Sequence, residues 1–183
     1  MTVNKYTALV LAIVLSQNFK VNAQVQNQPQ QVPVEAVFQL LKMDCGTNAQ
    51  LDEFNLLIRG LETSQVSLLR QALRQGLNDR QQATIVKQAS VRFKAKQSWL
   101  KAQGGEVLDQ ETIERLLRQT EQETVNLAVY RANLKQRENA IRALGIIGNR
   151  EDIKLIKEAV KKEPKLKQIA SQAVTQLRQG VVE

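Results

Sequence analysis

The sequence predicts an all-α fold, and three observations carry that prediction. Glycine and proline are scarce, 8 and 3 of 183 residues, so the chain has few obligatory breaks. Gln, Leu, Lys and Arg are abundant, and such straight-chain side chains lose little rotamer freedom in a helix. Apolar residues recur at spacings of three and four, and no stretch alternates with a period of two for long enough to argue a strand.

The first residues follow a different pattern. Lys5 precedes an unbroken apolar run from Ala8 to Leu15, and polar residues then lead to Val21-Asn22-Ala23, small at the positions a signal peptidase selects. The run is less than half of the ~20 apolar residues that cross a bilayer as a helix. Residues 1–23 are therefore expected to be a cleavable signal peptide, which sends the mature chain to the periplasm or the exterior. No cysteine lies at the cleavage site, so a lipoprotein anchor is not indicated. Without Lys5 and Lys20 the net charge falls from +8 to +6. The Gln-rich stretch 24–32 holds too few apolar residues to offset its ordering entropy and is expected to be a disordered lead-in.

Residues 33–183 are expected to form one all-helical domain. Its first part, 33–105, contains short helices and one long basic helix; its second, 106–183, contains a further long helix and a C-terminal helix set. Val34, Val37, Phe38 and Leu41 mark a helix over 33–42, broken by Gly46-Thr47-Asn48. A second helix spans 51–59 and stops at Gly60. Ser64 is placed to cap a third, with Val66, Leu69 and Leu73 inward and Gly76 at its end. Asn78 or Asp79 opens a long helix to about Gln103, with Val86, Ala89, Phe93 and Leu100 as its apolar stripe and Ile85 and Trp99 beside it. After the Gly104-Gly105 turn, Asp109 caps a second long helix through Ile113, Leu116, Leu117, Leu127, Tyr130 and Leu134, with Thr120 and Thr124 weakening its middle. Two long helices about a double glycine predict an antiparallel hairpin.

The C-terminal third repeats itself. Arg137-Glu138-Asn139-Ala140-Ile141-Arg142-Ala143-Leu144 is followed thirty residues later by Lys167-Gln168-Ile169-Ala170-Ser171-Gln172-Ala173-Val174. Between them, Asn149 is expected to cap a helix over 150–162 with Ile153, Ile156 and Val160 inward. Gly148 is expected to end the preceding helix in a left-handed cap, and Pro164 suits a first helical turn. This pattern, over about residues 137–177, resembles HEAT-like helical repeats of the lyase type. The resemblance implies an α-solenoid-type C-terminal part and a role in protein–protein contact.

Composition also bounds the chemistry. The chain has no histidine, which removes the usual general base near neutral pH and the commonest metal ligand. Ser-His-Asp and Cys-His systems and His-based zinc sites are thereby excluded. No phosphate loop, calcium loop or metal-ligand cluster is present, so no catalytic residue, cofactor or metal is expected. Cys45 is the one cysteine, which leaves an inert thiol or a disulfide between chains.

The remaining signal is cationic. Arg80, Lys87, Lys94 and Lys101 recur every seven residues and so form one ridge on the order of 30 Å long. Arg70, Arg74, Arg92 and Lys96 add charge nearby, and Asp79 is the only acid from Arg70 to Lys101. Such a ridge suits an anionic lipid, a glycolipid or a polyanion, or it is a solvated face. Nucleic acid is disfavoured by export and by the lack of interleaved aromatics. Lys154, Lys157, Lys161, Lys162, Lys165 and Lys167 form a second cluster, in which pairs such as Glu158 with Lys162 are expected. The segments Leu61-Glu62-Thr63-Ser64-Gln65 and Leu77-Asn78-Asp79-Arg80-Gln81 lack the threonine of the Leu-Thr-x-x-Gln motif of small periplasmic chaperones. A chaperone-like role rests on charge and helicity alone. The leading expectation is a non-enzymatic exported module that binds another protein through a helical face; the alternative is an anionic-surface binder using the ridge.

Overall fold

The computed structural model describes residues 34–180; the expected signal peptide (1–23) and lead-in (24–32) lie outside the described residues. Within them are eight α-helices: α1 (Val34–Leu40), α2 (Asn48–Arg59), α3 (Val66–Gln75), α4 (Asp79–Gln103), α5 (Gln110–Leu117), α6 (Glu121–Ile147), α7 (Asp152–Lys162) and α8 (Lys167–Gln179). Short 3-10 turns at Thr63–Gln65, Gly104–Glu106 and Pro164–Leu166 join neighbours, and no strand occurs among the described residues. The fold is all-α.

Capping chemistry sets the helix starts and corrects several sequence expectations. The Gly46-Thr47-Asn48 break is itself a start. The Thr47 hydroxyl accepts from Gln50 N–H at 3.3 Å while the Gln50 side chain accepts from Thr47 N–H at 3.1 Å, a reciprocal box that begins α2 at Asn48 rather than Leu51. Ser64 is not a cap; it lies inside the 3-10 turn, and α3 begins at Val66. The expected second long helix is two helices. Asp109 caps only α5, and the chain then restarts at Thr120, whose hydroxyl accepts from Glu123 N–H at 3.1 Å. The threonine read as a weak point in a helix is therefore the beginning of one.

Three glycines serve close approach. Gly148 has φ −78° and ψ −173°, extended rather than left-handed as expected. A Cβ there would sit 2.3 Å from the Leu144 carbonyl oxygen and 2.7 Å from an Asp152 carboxylate oxygen, so space rather than φ requires glycine. Gly145 lets α6 meet α8, since its Cβ would stand 2.9 Å from Ala173. Gly76, at φ +71°, is the one positive-φ residue among those described. Its missing Cβ leaves room for the Asn133 side chain, which accepts from Leu77 N–H at 3.3 Å.

The core is shared by α1, α2, α3, the C-terminal half of α6, α7 and α8, with Phe54, Ile58, Leu69, Leu73, Ile141, Leu144, Ile156 and Leu166 fully or almost fully buried. It thus joins the two sequence segments on either side of residue 105. Four polar residues are buried with it: Gln65, Gln136, Asn139 and Asp152. The Asn139 amide donates to the Leu41 and Met43 carbonyls (3.1 and 2.9 Å), closing the end of α1, and Gln136 donates to the Gly76 carbonyl at 2.8 Å, closing the end of α3. Asp152 receives Arg70 Nε at 2.6 Å, a second Arg70 nitrogen at 3.1 Å, and Asn149 N–H at 2.9 Å. Arg70 therefore clamps α3 to α7 instead of adding charge to the ridge. Asn149 acts one turn before α7, its side chain accepting from Glu151 N–H at 3.0 Å.

Two expectations follow for stability. Asp152→Ala removes one member of a buried bidentate pair and the acceptor for Asn149 N–H. The loss should be about 3 kcal/mol in urea unfolding, moderated because the Arg70 side chain is 30% exposed and can turn to water. Gly76→Ala places a side chain in a glycine-favouring conformation and displaces Asn133, for a loss of ~1–3 kcal/mol in the same measurement.

Candidate interaction surface

The helices outside the core make an arm. Asn78 begins α4 with a reciprocal box: its side chain accepts from Gln81 N–H, and the Gln81 side chain accepts from Asn78 N–H, both at 2.9 Å. Twenty-five residues then run without glycine or proline. α4 packs antiparallel to the N-terminal half of α6, with α5 closing the far end, where Gln97 donates to the Leu116 carbonyl at 3.3 Å and Lys96 to Gln119 at 3.1 Å. Ala89, Leu100, Ile113 and Val125 are buried in this arm, and none of them belongs to the main core. The helical hairpin is present, with a short helix inserted at its turn.

Arg80, Lys87, Lys94 and Lys101 are all exposed on α4. Each seven-residue step falls roughly 20° short of two full turns, so the row drifts slowly around the helix but stays on its outward half. The ion pairs among the described residues are Arg70–Asp152, Arg118–Glu114 and Lys135–Asp44, and none involves α4. Of the arm's acids, Asp79 opens α4, Glu106 lies in the 3-10 turn and Glu114 pairs with Arg118. Four more stand at helix starts: Asp109 and Glu111 at α5, Glu121 and Glu123 at α6. There they complement the helix dipole. Val91, 61% exposed, lies beside the cations, and Trp99, 40% exposed, lies on the flank of α4. Leu127 and Tyr130, expected in an apolar seam, are also exposed. Tyr130 instead meets the C-terminal helices: its hydroxyl donates to Glu163 at 3.1 Å, and Lys165 lies 4.9 Å over its ring.

At the root of α4 lies a cleft of about 870 Å³, walled by α1, α4 and α6. Phe38, Leu77 and Ile85 supply its apolar surface, and Lys42, Arg80, Lys135 and Glu35 its charges. Sequence reading missed this cleft, because its walls come from three helices distant in sequence, α1, α4 and α6. Cys45 lies just past α1 and packs partly against the core. Burial pushes its thiol up, against the pull of Arg142 and Lys135. Glu158 and Lys162 are both exposed and form no ion pair. Among the described residues, no group of three or more His, Cys, Asp or Glu could hold a metal ion, and no helix is long and apolar enough to cross a membrane. Comparison with protein-family models, curated proteins and solved structures returns no match.

The caps of the arm give it an acid sensitivity. Thr112 N–H and hydroxyl hold the Asp109 carboxyl below its ordinary value, and Thr120 does the same for Glu123. A carboxyl with a depressed folded-state value stabilises above its unfolded value, and that contribution is lost as pH falls through the folded value. NMR helical shifts at residues 110–113 and 121–124 should therefore decline on acidification before those at 136–145. Asp109→Asn, which keeps an acceptor, should flatten the response at α5. Loss of the core shifts first would contradict this assignment.

Proposed function

We propose that the protein is an exported, non-enzymatic helical module that binds another protein through its arm. The observation that carries this reading is the outward face of α4: four unpaired cations with Val91 exposed among them, and Trp99 exposed on the flank, on a helix that contributes nothing to the main core. A 25-residue helix with only Ala89 and Leu100 buried does little for the stability of the body, and its exposed chemistry is the kind a partner recognises. Export rests on the pattern of residues 1–23, and the HEAT-like pattern of residues 137–177 points the same way by resemblance, toward contact between proteins.

A second reading is binding of an anionic lipid, glycolipid or polyanion by the ridge. It is favoured by the single sign of charge from Arg80 to Lys101, where each cation near an anionic membrane adds about 1 kcal/mol. Such binding needs no apolar contact and weakens steeply with salt.

A photoreactive residue in place of Val91, in the protein expressed in its own host, tests the first reading. One discrete protein adduct should form, and Lys87→Glu, Lys94→Glu and Lys101→Glu together should abolish it. The same probe at Lys157 on α7 should give none. Adducts of equal yield at both positions, or none at Val91, would remove the arm as the contact.

A further inference from the structure

We propose that the cleft at the root of α4, continued along the flank of α4 to Trp99, is a groove for an acidic amphipathic helix of the partner; this rests on the protein-binding reading above. The cleft provides depth. Phe38 and Ile85 line it, both partly shielded, within a volume of about 870 Å³ that suits several apolar side chains. The flank provides length. Ile85, Arg92 and Trp99 succeed one another at seven-residue intervals and so lie in a row of ~21 Å, the span of roughly 14 residues of a docked helix. Trp99, 40% exposed, offers a large aromatic anchor at the distal end.

Charge selects the occupant. Lys42 and Arg80 are exposed at the cleft and Arg92 is exposed midway along the row, while Lys135 is tied to Asp44 at 2.9 Å. Glu35 is the only acid lining the cleft, and α4 has none beyond Asp79. An acidic rod therefore gains attraction along the whole path. Shape separates this partner from a membrane. A flat anionic surface reaches the outward ridge but not the recessed side chains of Phe38 and Ile85, so the concavity favours a helix.

Trp99 is the sole tryptophan of the chain and reports directly on the groove. The probe is a designed peptide of roughly 18 residues with leucines on one helical face and glutamates on the other. Its controls are a scrambled peptide of equal composition and phosphatidylglycerol vesicles. The helical peptide should shift Trp99 emission to the blue. Gln88→Glu, an exposed change inside the cleft, and Arg92→Glu should each weaken it by about tenfold. The scrambled peptide should not bind. Equal binding of both peptides, a response to vesicles alone, or indifference to Gln88→Glu would overturn the groove. If the groove fails while the Val91 adduct persists in the host, protein binding by the arm stands and only the acidic-helix partner falls.

Discussion

Just past the ends of α1 and α3, against α6, main-chain carbonyls are buried or partly buried and have no helical partner. Two amide side chains of α6 supply the donors: Asn139 for Leu41 and Met43, Gln136 for Gly76. A buried carbonyl without a donor costs on the order of 1–3 kcal/mol, so these bonds fix the register of α6 more sharply than apolar contact does. Apolar faces tolerate small slides, whereas a hydrogen bond of 2.8 to 3.1 Å does not. The rest of the body follows from that register. Gly145 is brought to Ala173, Gly76 opens the space for Asn133, and Asn133 in turn holds the start of the chain leading into α4.

α6 thereby acts in two places at once. Its C-terminal half is the centre of the core, with Ala140, Ile141, Ala143 and Leu144 fully buried, while its N-terminal half is one wall of the arm. Because the helix is unbroken from Glu121 to Ile147, the direction of the arm is set inside the core. The Tyr130 contacts with Glu163 and Lys165 brace the point where the two halves meet, and the Arg70–Asp152 clamp ties α3 to α7. The candidate groove, between α1 and α4, inherits its geometry from the same bonds.

Much of this was legible in the residues. Low glycine and proline content and the recurring spacings gave helices in the right order, and the seven-residue row from Arg80 to Lys101 lies exposed on one long helix. What could not be read was mostly polar. Thr120 appears in sequence as a poor residue within an apolar seam, and its role as a cap depends on Glu123 turning back to it. Asp152 looks like one acid among many lysines until folding brings Arg70 beside it from 82 residues away. Trp99 falls beside an apolar stripe and Tyr130 within an apolar seam, yet both are exposed, because periodicity says which residues share a face, not whether another element covers it. The cleft depends on how α1, α4 and α6 come together, which no local pattern encodes.

The separation of the arm's buried residues from the main core has an evolutionary consequence. Ala89, Leu100, Ile113 and Val125 are buried within the arm and outside the main core, and the exposed side chains on the outward face of α4 belong to neither. Substitutions on that face meet almost no folding constraint, since exposed changes away from special contacts shift stability by roughly half a kcal/mol or less. Selection can therefore revise what the arm recognises, residue by residue, while the body that aims it stays unchanged.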